Sequence, residues 1–266
     1  MKILVAVKQV AALDEDFTIR EDGRDVDAEF LIRDLNEWDD FSLEEAVKIK
    51  EAATDPVEVI AFSVGPPEVD ESLRKCLAKG ADRAIRVWDA AIEGSDPIAI
   101  ARVLAAVTKR EAPAMLFAGV QSSDQAFAAT GIATAAFLGW PHAAVVSQLS
   151  YSPGAKSAIF RRELEGGLLQ EAQIQCPAVL TIQLGINTPR YASLRSIKQA
   201  AAKPIETLSL TELDLAAGDV GEAGSASRVR RMYMPDKGRA ELISGDVAQQ
   251  AQRLAEIIRE FKGAAS

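Results

Sequence analysis

Ala114–Trp140 reads AMLFAGVQSSDQAFAATGIATAAFLGW. Its opening run, AMLFAGV, is apolar without alternation and short for a helix. It reads as a parallel strand buried on both faces. A polar loop, QSSDQ, follows and runs into a helix of small residues. The same strand–loop–helix order recurs upstream. KILVAVKQV (2–10), VEVIAFSVGP (57–66) and AIRVW (84–88) read as strands. SLEEAVKIKEA reads as a helix with Ser42 as its cap, DESLRKCLAKG as a helix closing at Gly80, and DPIAIARVLAAVTKREAP as a helix with proline near its start. The succession predicts a parallel sheet with right-handed crossovers and helices on both faces.

After Trp140 the character changes. AAVVSQLSY, SAIFRREL, LLQEAQIQC and AVLTIQLG are short segments parted by SPGAK and EGG, and read as added antiparallel strands. FTIREDGRDVD reads as a hairpin or surface loop. The fold class is therefore α/β: a twisted sheet with a parallel core, helices on both faces, added antiparallel strands and an extended C-terminal arm. We divide the chain into an α/β domain at 1–188 and a recognition loop plus arm at 189–266.

Composition narrows the function. The 266 residues carry a formal net charge of -9, against a general nucleic-acid binder, which needs a basic surface. No apolar run approaches a membrane span, and the N-terminus lacks the pattern of a signal peptide, so a cytoplasmic protein is expected. With two cysteines and one histidine, a disulfide framework, a cysteine metal site and Ser-His-Asp catalysis are all poorly supported. His142 reads as a packed or hydrogen-bonded turn residue and not as a catalytic one.

Open α/β sheets bind ligands at the carboxyl ends of their strands. The strand Ala114–Val120 ends at Gly119, which permits a close backbone approach. Gln121, Ser122, Ser123, Asp124 and Gln125 then lead to a helix start, with Thr130 and Gly131 one to two turns along it. Such a start can hold a phosphate on backbone amides. Equally, the serines and aspartate can be plain caps. Asn36, Asp39 and Asp40 allow an acidic site or a solvated loop. No G-x-G-x-x-G fingerprint, P-loop or SGGxD motif is present.

One segment fits none of this. NTPRYASLRSIKQAAAKP (187–204) places Leu194 between Arg190 and Arg195, with Ile197 and Lys198 beyond. A short helix packed on its own domain would account for it, and so would an apolar anchor with basic flanks.

Taken together, KILVAVKQV, NEWDDFSLEEAVKIKE, VIAFSVGP, LAKGADRAIRV, FAGVQSSDQ, RRELEGG and CPAVLTIQLGINTPRYASL resemble the small (β) subunit of electron-transfer flavoprotein, most closely the bacterial form serving trimethylamine dehydrogenase. The resemblance covers nearly the whole chain. It implies an adenine-nucleotide α-hydrolase-like fold and a heterodimer with a larger α subunit. It implies FAD mainly in that subunit, and AMP here or a second FAD in electron-bifurcating members. It implies an AMP pocket at Ala6, at Asn36, Glu37, Trp38 and Asp39, at Val64 and Gly65, and from Asp124 to Thr134, including Ala128. Leu13 falls where the flavin edge is approached. Arg190, Tyr191, Leu194, Arg195, Ile197 and Lys198 fall in the segment that meets a flavin dehydrogenase, with a quinone-reducing acceptor downstream. The role implied is that of an electron carrier, not an enzyme. A flavin-free AMP- or ATP-binding homodimer of the same α/β type is the rival.

Overall fold

In the computed structural model the chain is described at residues 1–12, 18–27, 31–235, 238, 240 and 242–264. Two compact units are present, Met1–Arg230 and Arg231–Ser266. Leu13 lies outside the described residues.

The first unit is built on a nine-stranded sheet. Its strands in chain order are β1 (Lys2–Ala6), β4 (Glu58–Val64), β5 (Arg83–Val87), β6 (Met115–Gly119), β7 (His142–Ser150), β8 (Ser157–Glu163), β9 (Leu169–Gln175), β10 (Ala178–Ile182) and β11 (Glu206–Leu208). The intervening β2 (Gln9–Ala12) and β3 (Ile32–Leu35) form a separate antiparallel pair. Across the large sheet the order is β11-β5-β4-β1-β6-β10-β7-β8-β9. Only β7–β8 and β8–β9 are antiparallel pairs in it.

This differs from the expectation: KILVAVKQV divides into β1 and β2, which lie in separate sheets, and β7 runs parallel to β10 on one edge although antiparallel to β8 on the other. AVLTI does not join an antiparallel edge. It enters the centre as β10, parallel to both β6 and β7. Every residue of β10 is buried, which is why its run is apolar without alternation. Residues 18–27 of the segment FTIREDGRDVD close as a hairpin, with an antiparallel bridge between Ile19 and Val26.

Strand alternation sorts the core into two layers. Ile3, Val5, Phe117 and Leu180 face Leu43 and Val47 of α1 (Glu37–Ala52) and Leu73 and Leu77 of α2 (Asp70–Lys79). Leu4, Phe62, Leu116 and Val179 face Val103 and Val107 of α3 (Pro97–Glu111) and Ala135 of α4 (Thr130–Leu138). The helix expected to start at Ser42 starts earlier, at Glu37. Ser42 sits inside it and donates to the Trp38 carbonyl. Its first turn carries Glu37, Asp39 and Asp40, where the helix dipole favours acids.

The chain beyond 188 continues to serve this core. After α5 (Leu194–Ala202) packs on α2, β11 extends the sheet beside β5, and Leu208, Leu210, Leu213 and Val220 are buried. The compact unit therefore runs on through α6 (Gly221–Gly224) to Arg230. The second unit contains one long helix, α7 (Val247–Ala264). Among the described residues no helix is long and apolar enough to cross a membrane.

Candidate functional site

The sheet order creates a topological switch. From β1 the chain moves to β4 on one side, and from β5 it returns to β6 on the other, so α1 and α2 cover one face and α3 and α4 the other. Outside the carboxyl ends of β1 and β6 a crevice must open. A cavity of about 330 Å³ lies there.

Its floor is set by a buried carboxylate. Asp39, only 4% exposed, accepts the Lys8 backbone N–H on Oδ2 at 2.7 Å and the Gly119 N–H on Oδ1 at 2.9 Å. One side chain from α1 thus ties the ends of β1 and β6 together. Burial pushes its carboxyl up to about 7, outweighing the two amide bonds that favour the charged form. Asn36 adds a second tie, donating to the Gln121 carbonyl at 2.9 Å and accepting from the Ser123 amide at 3.2 Å.

Gly119 is required by these ties. A Cβ there would lie 2.5 Å from Trp38 Cβ and 2.6 Å from Asp39 Oδ1. The close approach foreseen at this glycine is made by α1. Gly131 acts likewise at the start of α4, where a Cβ would lie 2.6 Å from Thr181 Cγ2 on β10. It seats that helix end directly on the sheet.

The loop between β6 and α4 is longer than its composition suggests. Ala126 and Ala128 both adopt left-handed backbone angles, φ 52°, which interrupts any helix. Helix α4 begins only at Thr130, so Thr130 and Gly131 are its first residues instead of lying one to two turns along it. The first intrahelical bond is Ala133 N–H to the Ala129 carbonyl, 2.9 Å. The amides before it point out of the helix end, where the dipole is positive.

The cavity is lined by Ala6, Asn36, Asp39, Val64, Gly119, Gln121, Ser122, Asp124, Gln125, Ala128, Thr130 and Gly131 of the residues singled out in the sequence. Glu37, Trp38, Gly65, Ser123 and Thr134 do not line it. Glu37 and Ser123 are exposed. Trp38 donates to Gln183 Oε1 at 3.2 Å, and Thr134 is buried with its hydroxyl on the Thr130 carbonyl. Gly65 bonds back to Val87, and a Cβ there would strike Val69.

Two further groups line the cavity that the sequence alone does not single out. Lys8 Nζ reaches across from the end of β1 to Asp124 Oδ1 (2.7 Å), Gln125 Oε1 (3.2 Å) and Ser122 Oγ (3.3 Å). The available signal is a lone lysine just past an apolar strand. Ser95 and Asp96 form the far wall with Pro97 at the start of α3. Asp96 caps that helix by accepting from the Ile98 and Ala99 amides, each at 2.9 Å. The apolar side is Ala6, Phe62, Val64, Ile100 and Leu104. A polar rim with exposed amides and an ammonium, over an apolar back, suits a small ligand with an anionic group and a flat base. Among the described residues no cluster of His, Cys, Asp and Glu could hold a metal ion. His142 opens β7 and is exposed, not packed in a turn.

The segment 187–204 lies apart from the cavity residues. Tyr191 is 98% exposed and Leu194 81%. Leu194 opens α5, whose start is capped by the Ser193 hydroxyl accepting from the Ser196 amide, while Ala200 faces the core. Arg195, Ile197 and Lys198 are exposed beside it. Arg190 differs: its guanidinium meets two carboxylates of α1.

Residues 31–213 match the family model described as electron transfer flavoprotein domain. The chain is 69% identical over 264 residues to electron transfer flavoprotein subunit beta of Methylophilus methylotrophus, covering 99% of this chain and 100% of that one. It is 38% identical over 213 residues to the mitochondrial subunit beta of Arabidopsis thaliana, covering 80% and 83%. With subunit beta of Mus musculus it shares 36% over 223 residues, 83% of each chain.

Proposed function

Since this chain belongs to the electron transfer flavoprotein family, as a β subunit, we propose that its switch-point cavity binds AMP and that segment 190–198 docks a flavin dehydrogenase. The observation that carries the nucleotide half is the meeting, at one cavity, of the first amides of α4, the Lys8 ammonium and an apolar back wall. The phosphate would take the amides of Thr130 and Gly131, and the base the surface of Ala6, Val64 and Leu104. The volume is that of a small-molecule site. AMP here is structural: it fills the crevice and ties loop 120–129 to the sheet.

FAD, held mainly by the larger α subunit, supplies the electron-carrying chemistry when bound. The work of this chain is positional. It pairs with the α subunit, which covers the arm and α7 above all, and it presents Leu194 to the donor. Electrons then leave one at a time toward a quinone-reducing acceptor of the respiratory chain. The donor of choice on this reading is trimethylamine dehydrogenase, and the compartment is the cytoplasm. The resemblance to the form that serves trimethylamine dehydrogenase favours a non-bifurcating carrier with AMP over one with a second FAD.

Co-expression with the large subunit tests this. A yellow heterodimer releasing one AMP and one FAD on denaturation is the expected result. Two FAD and no AMP would place the chain among bifurcating members. A colourless homodimer would overturn the reading.

A further inference from the structure

In the sequence Arg190 is a basic charge close to an exposed leucine. Its surroundings give it another role. Nε and the backbone N–H both donate to Glu44 Oε2, at 2.8 and 3.1 Å, and Nη2 donates to Glu44 Oε1 at 2.9 Å. Nη1 and Nη2 also donate to Glu51 Oε1 and Oε2, at 2.6 and 2.9 Å. Two carboxylates about two helical turns apart on α1 thus grip one guanidinium in paired, planar fashion. Glu44 is 7% exposed, an acid whose burial needs such a partner.

Neighbouring bonds continue the grip. Asn187 donates to the Phe41 carbonyl at 3.1 Å and to Glu45 Oε2 at 2.9 Å, again on α1. At the other end of α5, Arg74 of α2 donates to the carbonyls of Ala200 (2.7 Å) and Lys203 (2.8 Å). Leu194 therefore stands at the start of a helix fixed on both sides. Arg195 and Lys198, by contrast, make no ion pair among the described residues and are exposed, so the free charge beside Leu194 is theirs.

Resting on the docking role of Leu194 proposed above, we infer that Arg190 is a positioning residue: clamped by Glu44 and Glu51, it holds the Leu194 anchor in its docking position and does not itself meet the partner. An anchor fixed beforehand loses less freedom on binding, so the clamp strengthens docking without adding a contact. Any partner flavin dehydrogenase meets the apolar tip and the two free cations, not Arg190.

A double-mutant cycle on the intact heterodimer separates this from the alternatives, with trimethylamine dehydrogenase as donor and the rate of flavin reduction as readout. Arg190→Ala raises KM for the heterodimer about tenfold with kcat, FAD content and AMP content unchanged, and Arg190→Lys restores only a fraction of the loss, because an ammonium cannot pair with both carboxylates. In a Leu194→Ala background, Arg190→Ala adds nothing further. Should Arg190→Ala fold poorly, Glu51→Gln, at a half-exposed position, carries the same cycle with a smaller increase. An effect of Arg190→Ala that persists undiminished beside Leu194→Ala overturns the clamp, since Arg190 would then touch the partner. So does a wild-type KM in Arg190→Ala, or a loss of bound AMP. If Leu194→Ala alone leaves KM unchanged, the docking role of the segment fails first, and the clamp with it.

Discussion

At the scale of single residues, Asp39 has the largest consequences. It is buried, makes no ion pair among the described residues, and holds two strand ends through their amides. Its carboxyl is raised to about 7, whereas in the unfolded chain it titrates near the ordinary carboxylate value. Between those limits the folded state binds a proton that the unfolded state has released. The contribution to stability is fully present below about pH 4 and is lost as pH rises through about 7. Asp39→Asn removes this dependence, so the variant's urea midpoint gains on that of the wild type as pH rises across the window. A difference that stays constant would show that Asp39 does not titrate there. Gly119→Ala tests the same junction by volume. With Trp38 Cβ at 2.5 Å and Asp39 Oδ1 at 2.6 Å, the added methyl displaces α1 and costs on the order of 1–3 kcal/mol in thermal or urea unfolding. Wild-type stability would mean that α1 gives way freely at this point.

At the scale of elements, β1, β4 and β6 are legible in the sequence because parallel core strands are nearly continuous apolar runs, and β5, despite Arg83 and Arg86, because it lies between two helices with clear end signals. The strand AVLTI carries that same mark, yet proximity to the hairpin β8–β9 invites an antiparallel reading; sheet order is a long-range property that local pattern does not encode. Loop 120–129 is legible in composition and not in length. Two alanines in left-handed conformation hold it open, and alanine gives no sign of that conformation. Of the cavity, the strand-end residues can be named from topology, while Lys8 cannot, since nothing local says that a side chain leaving β1 bridges to residue 124. That bridge yields a prediction. Lys8→Met loosens the loop from β1 and removes the ammonium from the proposed phosphate end of the cavity. The dissociation constant of AMP then rises at least about tenfold, as loss of a charge-assisted bond of about 1.5–3 kcal/mol requires, and that of adenosine rises less. Calorimetric titration of both ligands checks it. Equal losses for the two would place the phosphate elsewhere.

At the scale of the whole chain, charge and apolar surface point to two different partners. The net charge is -9, yet Arg195 and Lys198 stand exposed beside Leu194, with no ion pair among the described residues. Rim cations of this kind act on encounter more than on the bound state. The double variant Arg195→Ala/Lys198→Ala should slow association with the dehydrogenase at low ionic strength, and the deficit should shrink as salt is raised. A deficit that ignores salt would assign these side chains to direct contacts instead. The other partner concerns the C-terminal unit. Leu254, Ile258 and Phe261 recur at helical spacing on α7 and are about half or more exposed, with Leu242 and Val247 preceding them. A helix with such a stripe needs a covering surface. The first unit does not need the second for its own core, since every buried apolar residue of both core layers lies at or before Val220. Ending the chain at Arg230 should therefore leave the melting temperature of the first unit, and the AMP affinity proposed for it, close to those of the full chain. The same truncation should weaken assembly with the large subunit, so that flavin absorbance and the heterodimer peak fall together on size-exclusion chromatography. A truncated chain that still forms a full yellow heterodimer would free the arm from that role, and one that fails to fold would move the boundary of the core beyond residue 230.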